Sequence, residues 1–391
     1  MKIVQINVTC GQGSTGKICL AVSGLLNEKG IENYILYSEG DSDYNYAIKY
    51  ADKLEIKLQA LKSRVLGNYG FNSVKLTKKL ISELDKINPD IVHLHNLHGH
   101  GCNLTMLFSY FKEKKIKLFW TFHDCWAFTG YCPHFDMAGC EKWQTECAEC
   151  PQKRSYSFFF DRSTELCNKK KELFNGLDLT IITPSQWLAS MVKKSFLSDY
   201  EVMVINNGID LKIFTCRTGD FRQKYDLDGK FIILGVAFNW DERKGLDVFE
   251  KLACTLPKDC RIVLVGTNES VRESLPESII AIDRTNNQQE LAEIYSAADV
   301  FVNATREDTF PTVNIEALAC GTPVITFDTG GSGEIIDENC GLKAEKNNIS
   351  AMEKAILHIK ENRPFTWEDC RRRAELFEMN DKFREYAELY I

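Results

Sequence analysis

At 391 residues the chain is longer than one hydrophobic core ordinarily serves, so two domains are expected. Its 44% hydrophobic and 26% charged residues are those of an ordinary globular protein, and a net charge of −7 argues against nucleic acid as a partner. The charge is uneven: residues 1–200 hold 25 Lys+Arg against 21 Asp+Glu, and the remainder 23 against 34. A basic first half suits a surface that meets anionic lipid or a lipid-linked phosphate.

The opening MKIVQINV enters a strand directly, with no apolar leader segment and no cleavage site, so secretion is not expected. Nor does any run of eighteen apolar residues appear that would span a membrane. The expected location is the cytoplasm, with peripheral contact on the inner membrane face. Short apolar runs then alternate with helical patterns, the arrangement of parallel sheets with helices on both faces. Strands are expected at Lys2–Asn7, Asn33–Tyr37, Asp90–His95, Lys117–His123 and Leu179–Thr183. A second series, Phe231–Ala237, Arg261–Gly266, Val300–Asn303 and Pro323–Phe327, begins a second doubly wound domain. Between them, Asn206-Asn207-Gly208-Ile209-Asp210 is a turn-rich junction. One last helix is expected over Trp367–Tyr390. The domain boundaries are therefore expected at 1–205 and 206–370, with a C-terminal helical segment at 371–391.

The richest segment is Arg306 to Pro323, REDTFPTVNIEALACGTP, an acidic loop running into a small-residue helix. Pro311 suits a first turn, where its missing N–H is not needed. The amides of Thr312, Val313 and Asn314 would then point out of a helix N-terminus, which favours a phosphate. Asp308 and Glu316, eight positions apart, flank that seat with carboxylates able to accept from sugar hydroxyls.

This segment resembles the signature of the retaining family 4 glycosyltransferases, which have the GT-B fold of two Rossmann-like domains facing across a cleft; the resemblance implies that 1–205 binds the acceptor, 206–370 the nucleotide sugar, and that the C-terminal helix 371–391 packs back on the first domain. Glu316-Ala317-Leu318-Ala319-Cys320-Gly321-Thr322-Pro323 matches the family's Glu-Ala-x-Ala-x-Gly-x-Pro. The family usually has glutamate and Phe-Gly where this chain has Asp308, Phe310 and Pro311, with Glu307 adjacent; which carboxylate reaches the donor stays open. Lys244-Gly245 resembles the family's phosphate-binding Lys-Gly. The family's second cation, an arginine about six residues earlier, is replaced by Phe238, which leaves Arg243 as a substitute. Gly330-Gly331-Ser332-Gly333-Glu334 resembles its Gly-Gly-x-x-Glu, and His123, at the end of a strand with Asp124 beside it to orient the imidazole, its sugar-facing histidine. His93-Leu94-His95-Asn96 reads as scaffold or acceptor-loop packing.

Gly11-Gln12-Gly13-Ser14-Thr15-Gly16-Lys17 nearly spells a P-loop, but Ile18 stands where a magnesium-binding Ser or Thr is required. Gly13 and Gly16 are expected to bring backbone to the donor phosphates instead. Asp41-Ser42-Asp43 reads as a turn rather than a manganese site. Cys132, Cys140, Cys147 and Cys150, the last two at a C-x2-C spacing, are expected to form a structural zinc site, with Cys125 as packing. Phe158-Phe159-Phe160 beside Lys153 and Arg154, and the helices carrying Lys57, Lys62, Arg64, Lys75, Lys78 and Lys79, have the basic amphipathic make-up of a membrane-contacting surface.

The resemblance implies transfer of a sugar from a nucleotide-diphosphate donor to a glycan or polyprenyl-diphosphate-linked acceptor in surface-polysaccharide synthesis, with no cofactor needed for catalysis. His123, Lys244, Asp308 and Glu316 would be catalytic; Gly13, Gly16, Arg243, Glu307, Phe310, Pro311, Thr312 and Glu334 would bind the donor. The alternatives are a nucleotide-sugar epimerase of the same fold, recognised by a changed free sugar with no acceptor, and a zinc-stabilised scaffold without activity.

Overall fold

The structure, a computed structural model, describes residues 1–390 and consists of two compact units. The first comprises Met1–Asn206 and the chain from Phe383 onward, and the second Asn207–Lys382.

In the first unit, β1 (Lys2–Thr9), β2 (Glu32–Glu39), β3 (Ala47–Lys49), β4 (Ile91–Leu94), β5 (Lys117–Thr121), β6 (Leu179–Thr183) and β7 (Glu201–Val204) form one parallel sheet in the order 3-2-1-4-5-6-7. In the second, β8 (Phe231–Val236), β9 (Cys260–Val265), β10 (Ile279–Ile282), β11 (Val300–Asn303), β12 (Val324–Phe327) and β13 (Gly341–Ala344) form another, ordered 10-9-8-11-12-13. The central strands are nearly continuous apolar runs because helices cover both faces; Ile232, Ile233 and Leu234 of β8 are wholly buried. Strands β3, β7, β10 and β13 were not expected, and all four lie at sheet edges. Sequences such as AIK and GLKA are short and half-exposed there, so no apolar run announces them.

The final helix is in fact two, Trp367–Glu375 and Met379–Leu389. The break has a backbone cause: Ile209 donates to the Phe377 carbonyl and accepts from the Met379 amide, both at 3.0 Å, which pins 377–379 as an extended bridge. Phe377 is buried against Phe310 at 5.6 Å, and Glu378 accepts from the amides of Asn380 and Asp381, restarting the helix. Beyond it, the Tyr390 hydroxyl reaches His93 on β4, which ties the tail into the first unit. Among the described residues, no helix is long and apolar enough to cross a membrane.

Candidate active site

Each sheet reverses its strand order once, beside β1 in the first unit and beside β8 in the second. Open parallel sheets bind ligands at such a reversal, outside the carboxyl ends of the strands. Both sets of expected site residues lie there.

In the second unit the loop after β8 carries Arg243-Lys244-Gly245, and the loop after β11 carries Arg306 to Phe310. Gly245 has φ +79°, and a Cβ on it would stand 2.4 Å from the Ala304 carbonyl oxygen, so glycine alone lets the two loops meet. Arg306 fastens them: its backbone amide donates to the Arg243 carbonyl at 2.8 Å, and its guanidinium forks onto Asp247 at 2.7 and 2.9 Å. Lys244 Nζ thereby lies 2.8 Å from Asp308 Oδ2, both side chains 22% exposed. Arg243 donates to the Glu307 carbonyl at 3.3 Å and so holds backbone. Glu307 itself is buried, so Asp308 is the carboxylate beside the lysine. Behind the acid, Gly331 donates to the Asp308 carbonyl at 3.1 Å. A Cβ on Gly330 would fall 1.9 Å from that same oxygen.

Pro311 stands at the N-cap, and the helix runs Thr312–Ala319. Of the three amides expected to point outward, Asn314 is engaged, donating to the Pro311 carbonyl at 3.1 Å; Thr312 and Val313 lead the helix. Glu316 is half-buried, and the wholly buried Tyr295 hydroxyl donates to its Oε2 at 3.1 Å. Burial and the adjoining carboxylate push the Tyr295 pKa well up, so the phenol remains a donor that fixes Glu316. Glu334 lies half-buried on the short helix Ser332–Ile335, its carbonyl accepting from Arg373 at 2.7 Å. The Phe310 ring lies in the core, packed on Phe377, and its carbonyl accepts from Asn207 at 3.2 Å.

In the first unit, the loop after β1 folds on itself through Gly11 N–H to the Gly16 carbonyl at 3.0 Å. Gly13, at φ +66°, opens the helix Gly13–Glu28 with its Cα side open to space. His123 lies two residues beyond β5 rather than within it, and is partly accessible. The Asp124 carboxylate beside it bonds His98 at 2.8 Å and the Trp126 amide at 2.9 Å. The orienting partner is His95, whose Nδ1 lies 3.2 Å from His123 Nε2 with the rings stacked at 14°. Gln5 fixes the tautomers. Its amide nitrogen donates to the Cys19 carbonyl and Ser23 hydroxyl, so its oxygen faces His95 Nε2 at 3.1 Å and that nitrogen carries the proton. A neutral His95 then accepts at Nδ1, and His123 donates from Nε2. Burial lowers the pKa of His95 well below the usual range and brings His123 to about 4, so both are neutral near pH 7. Gln5 and Tyr295 carry no local motif, and His95, read from the sequence as scaffold or acceptor-loop packing, meets Gln5 and His123 only through the fold.

Lys170 is buried beneath this turn, donating to the carbonyls of Trp126 and Thr129 at 2.7 and 2.9 Å, with Nζ 3.7 Å from the Trp126 ring centre. Burial takes its pKa down to about 7. Cys132, Cys140, Cys147 and Cys150 line one cavity with Trp143 and Gln152. They do not converge further: among the described residues no three Cys, His, Asp or Glu are placed to hold a metal ion. The Cys147 sulfur accepts from the Gly130 amide at 3.3 Å.

Two Rossmann-like units, each with polar loops at its strand reversal, define the GT-B glycosyltransferase fold. The family description Glycosyltransferase Family 4 matches residues 17–213, and Glycosyl transferases group 1 matches residues 230–362. The chain belongs to glycosyltransferase family 4 and is an enzyme of that class. It is 23% identical over 368 residues to a putative colanic acid biosynthesis glycosyl transferase, WcaC, of Escherichia coli K12, covering 89% of this chain and 88% of that one. Among solved structures, a sucrose-phosphate synthase from Thermosynechococcus elongatus superposes with a TM-score of 0.73 at 18% identity, covering 100% of this chain and 98% of that chain. Anabaena HepE in complex with UDP gives 0.70 at 13%, covering 100% and 99%.

Proposed function

We propose that the protein is a retaining glycosyltransferase that moves a sugar from a nucleotide-diphosphate sugar to a glycan or polyprenyl-diphosphate-linked acceptor in surface-polysaccharide synthesis. The observation that carries this reading is Lys244 held 2.8 Å from Asp308 at the strand reversal, ahead of the helix Thr312–Ala319. An ammonium and a helix N-terminus together suit the diphosphate, whose leaving oxygen gathers the largest charge of the reaction. When a donor binds, Lys244 turns from Asp308 to the phosphate and frees that carboxylate for a sugar hydroxyl. Glu316, oriented by Tyr295, accepts from the ribose. His123, neutral, positions the sugar by hydrogen bonding rather than by removing a proton.

Retention follows if the acceptor hydroxyl approaches from the leaving-group side. The C–O bond to the phosphate breaks, the bond to the acceptor oxygen forms on the same face, and the departing phosphate takes the acceptor's proton. No separate base is needed. A nucleotide-sugar donor is supported by the UDP named for HepE, and the polysaccharide setting by the colanic acid relative. Thermal-shift screening against UDP- and GDP-sugars tests the donor assignment, because a ligand held only by the native state raises its melting temperature. A shift lost in Lys244→Ala supports the site; no shift with any nucleotide sugar overturns it.

A further inference from the structure

Two basic helices lie side by side in the first unit, and the structure gives them opposite roles. In the helix Val74–Ile87, Leu76, Leu80 and Leu84 are buried, as in any surface helix packed on a core. The helix Lys53–Leu66 is reversed. Its apolar residues Leu54, Leu58, Leu61 and Val65 are 68, 57, 56 and 37% exposed, while the side facing the core is carried by Ile56 and Ser63. At 3.6 residues per turn the four exposed residues fall within about 60° of arc, diametrically opposite Ile56 and Ser63. Lys57 and Arg64 flank the stripe on one side and Lys62 on the other, all exposed.

The stripe continues past the end of the helix. The Phe158 amide donates to the Arg64 carbonyl at 2.8 Å, and the Arg64 guanidinium lies 4.6 Å from the centre of the Phe158 ring. The loop so fastened presents Phe158, Phe159 and Phe160 at 50, 65 and 51% exposure, next to Lys153 and Arg154. Nearby carboxylates are already engaged: Glu55 by Lys75 and Lys79 at 2.9 Å each, Asp52 by Lys79 at 3.9 Å, and Asp161 by the amides of Cys150 and Ser163.

We propose that this face, the outer stripe of Lys53–Leu66 with the Phe158–Phe160 loop, docks the enzyme on an anionic lipid bilayer. Seven exposed apolar side chains rimmed by cations make the kind of patch that marks an interaction surface. Cations on both flanks and apolar residues in the middle are what a helix lying in the headgroup plane requires, with lysines meeting lipid phosphates and leucines reaching the acyl boundary. The triple phenylalanine adds side chains with no polar group to satisfy. This inference concerns a surface of the first unit and stands apart from the donor assignment.

The test is co-sedimentation of the full chain with vesicles of phosphatidylglycerol mixed with phosphatidylcholine, against vesicles of phosphatidylcholine alone. Wild-type protein is expected to partition to the anionic vesicles and to be released by salt. Leu58→Ser with Phe159→Ser should abolish partitioning. Lys57→Gln with Lys62→Gln should weaken it about twenty-five-fold, two cations near the surface each contributing about fivefold. All four positions are exposed, so thermal melts and nucleotide binding should stay at wild-type values. The proposal is overturned if wild-type protein ignores anionic vesicles, or if both variants partition as it does. It is equally overturned if wild-type protein self-associates and the serine variant alone is monomeric, which would make the face a contact between copies.

Discussion

The stacked histidines make the first unit sensitive to mild acid in a calculable way. His93 and His95 are buried, and His123 lies against them. Burial lowers His93 to about 3, His95 well below its usual range and His123 to about 4, from an ordinary value of 6.5. Because the folded values lie below the unfolded one, the unfolded chain binds more protons in the interval between them. The stabilisation from keeping these rings neutral is therefore complete above about pH 6.5 and declines as pH falls toward the folded values. At about pH 5, some 1.5 units below the unfolded value, each ring costs about 2 kcal/mol, or about 6 kcal/mol for three. That is comparable with the whole stability of a typical domain, roughly 5–15 kcal/mol. Partly buried His100 is shifted the same way and adds to the effect. Asp124, held at about 2, titrates below this window. Urea unfolding followed between about pH 7 and 5 should lose stability steeply, with uptake of about three protons on unfolding. His93→Gln should remove one of them. Stability that stays flat across the window, or uptake of fewer than one proton, would refute the neutral histidine stack.

Glu316→Gln should lower transfer by about a hundredfold, on the order of 3 kcal/mol for a carboxylate holding a donor hydroxyl, with an unchanged melt; wild-type turnover would remove Glu316 from the site. Tyr295→Phe leaves the carboxylate but frees it to rotate, and should cost about tenfold or less, close to one hydrogen bond. Lys244→Ala should weaken binding of free nucleoside diphosphate as well as transfer, read by calorimetry; unchanged affinity would shift the phosphate role to Arg243. Cys132, Cys140, Cys147 and Cys150, which line one cavity, should hold about one zinc per chain by elemental analysis, and metal-free protein with four freely titrating thiols at native stability would end that expectation.

Much of the fold was legible because buried parallel strands write themselves as apolar runs. Leu179–Thr183 and Val300–Asn303 are found where expected, whereas edge strands such as β13, with alternating exposure, left no run to read. The acids and cations of the second unit were legible because a helix N-terminus, a glycine turn and a carboxylate are coded within a few residues. What was missed acts across long separations. Tyr295 meets Glu316 from 21 residues away, Gln5 meets His95 from 90, and Tyr390 meets His93 from 297. No local spacing encodes such pairs. Phe310 is the opposite case: it sits inside the motif, yet its ring follows the rule for large apolar side chains and turns into the core. Likewise, the leucine spacing of Lys53–Leu66 announced an amphipathic helix without saying which face meets the core.

The central claim is transfer with retention from a nucleotide-diphosphate sugar. The most direct measurement is the anomeric configuration of the product, read by proton NMR from a reaction of wild-type protein, a donor found by thermal shift and a polyprenyl-diphosphate-linked glycan acceptor. The account predicts that an α-linked donor gives an α-linked product, with release of one nucleoside diphosphate per sugar transferred. A β-linked product, or a changed free sugar formed without any acceptor, would contradict it.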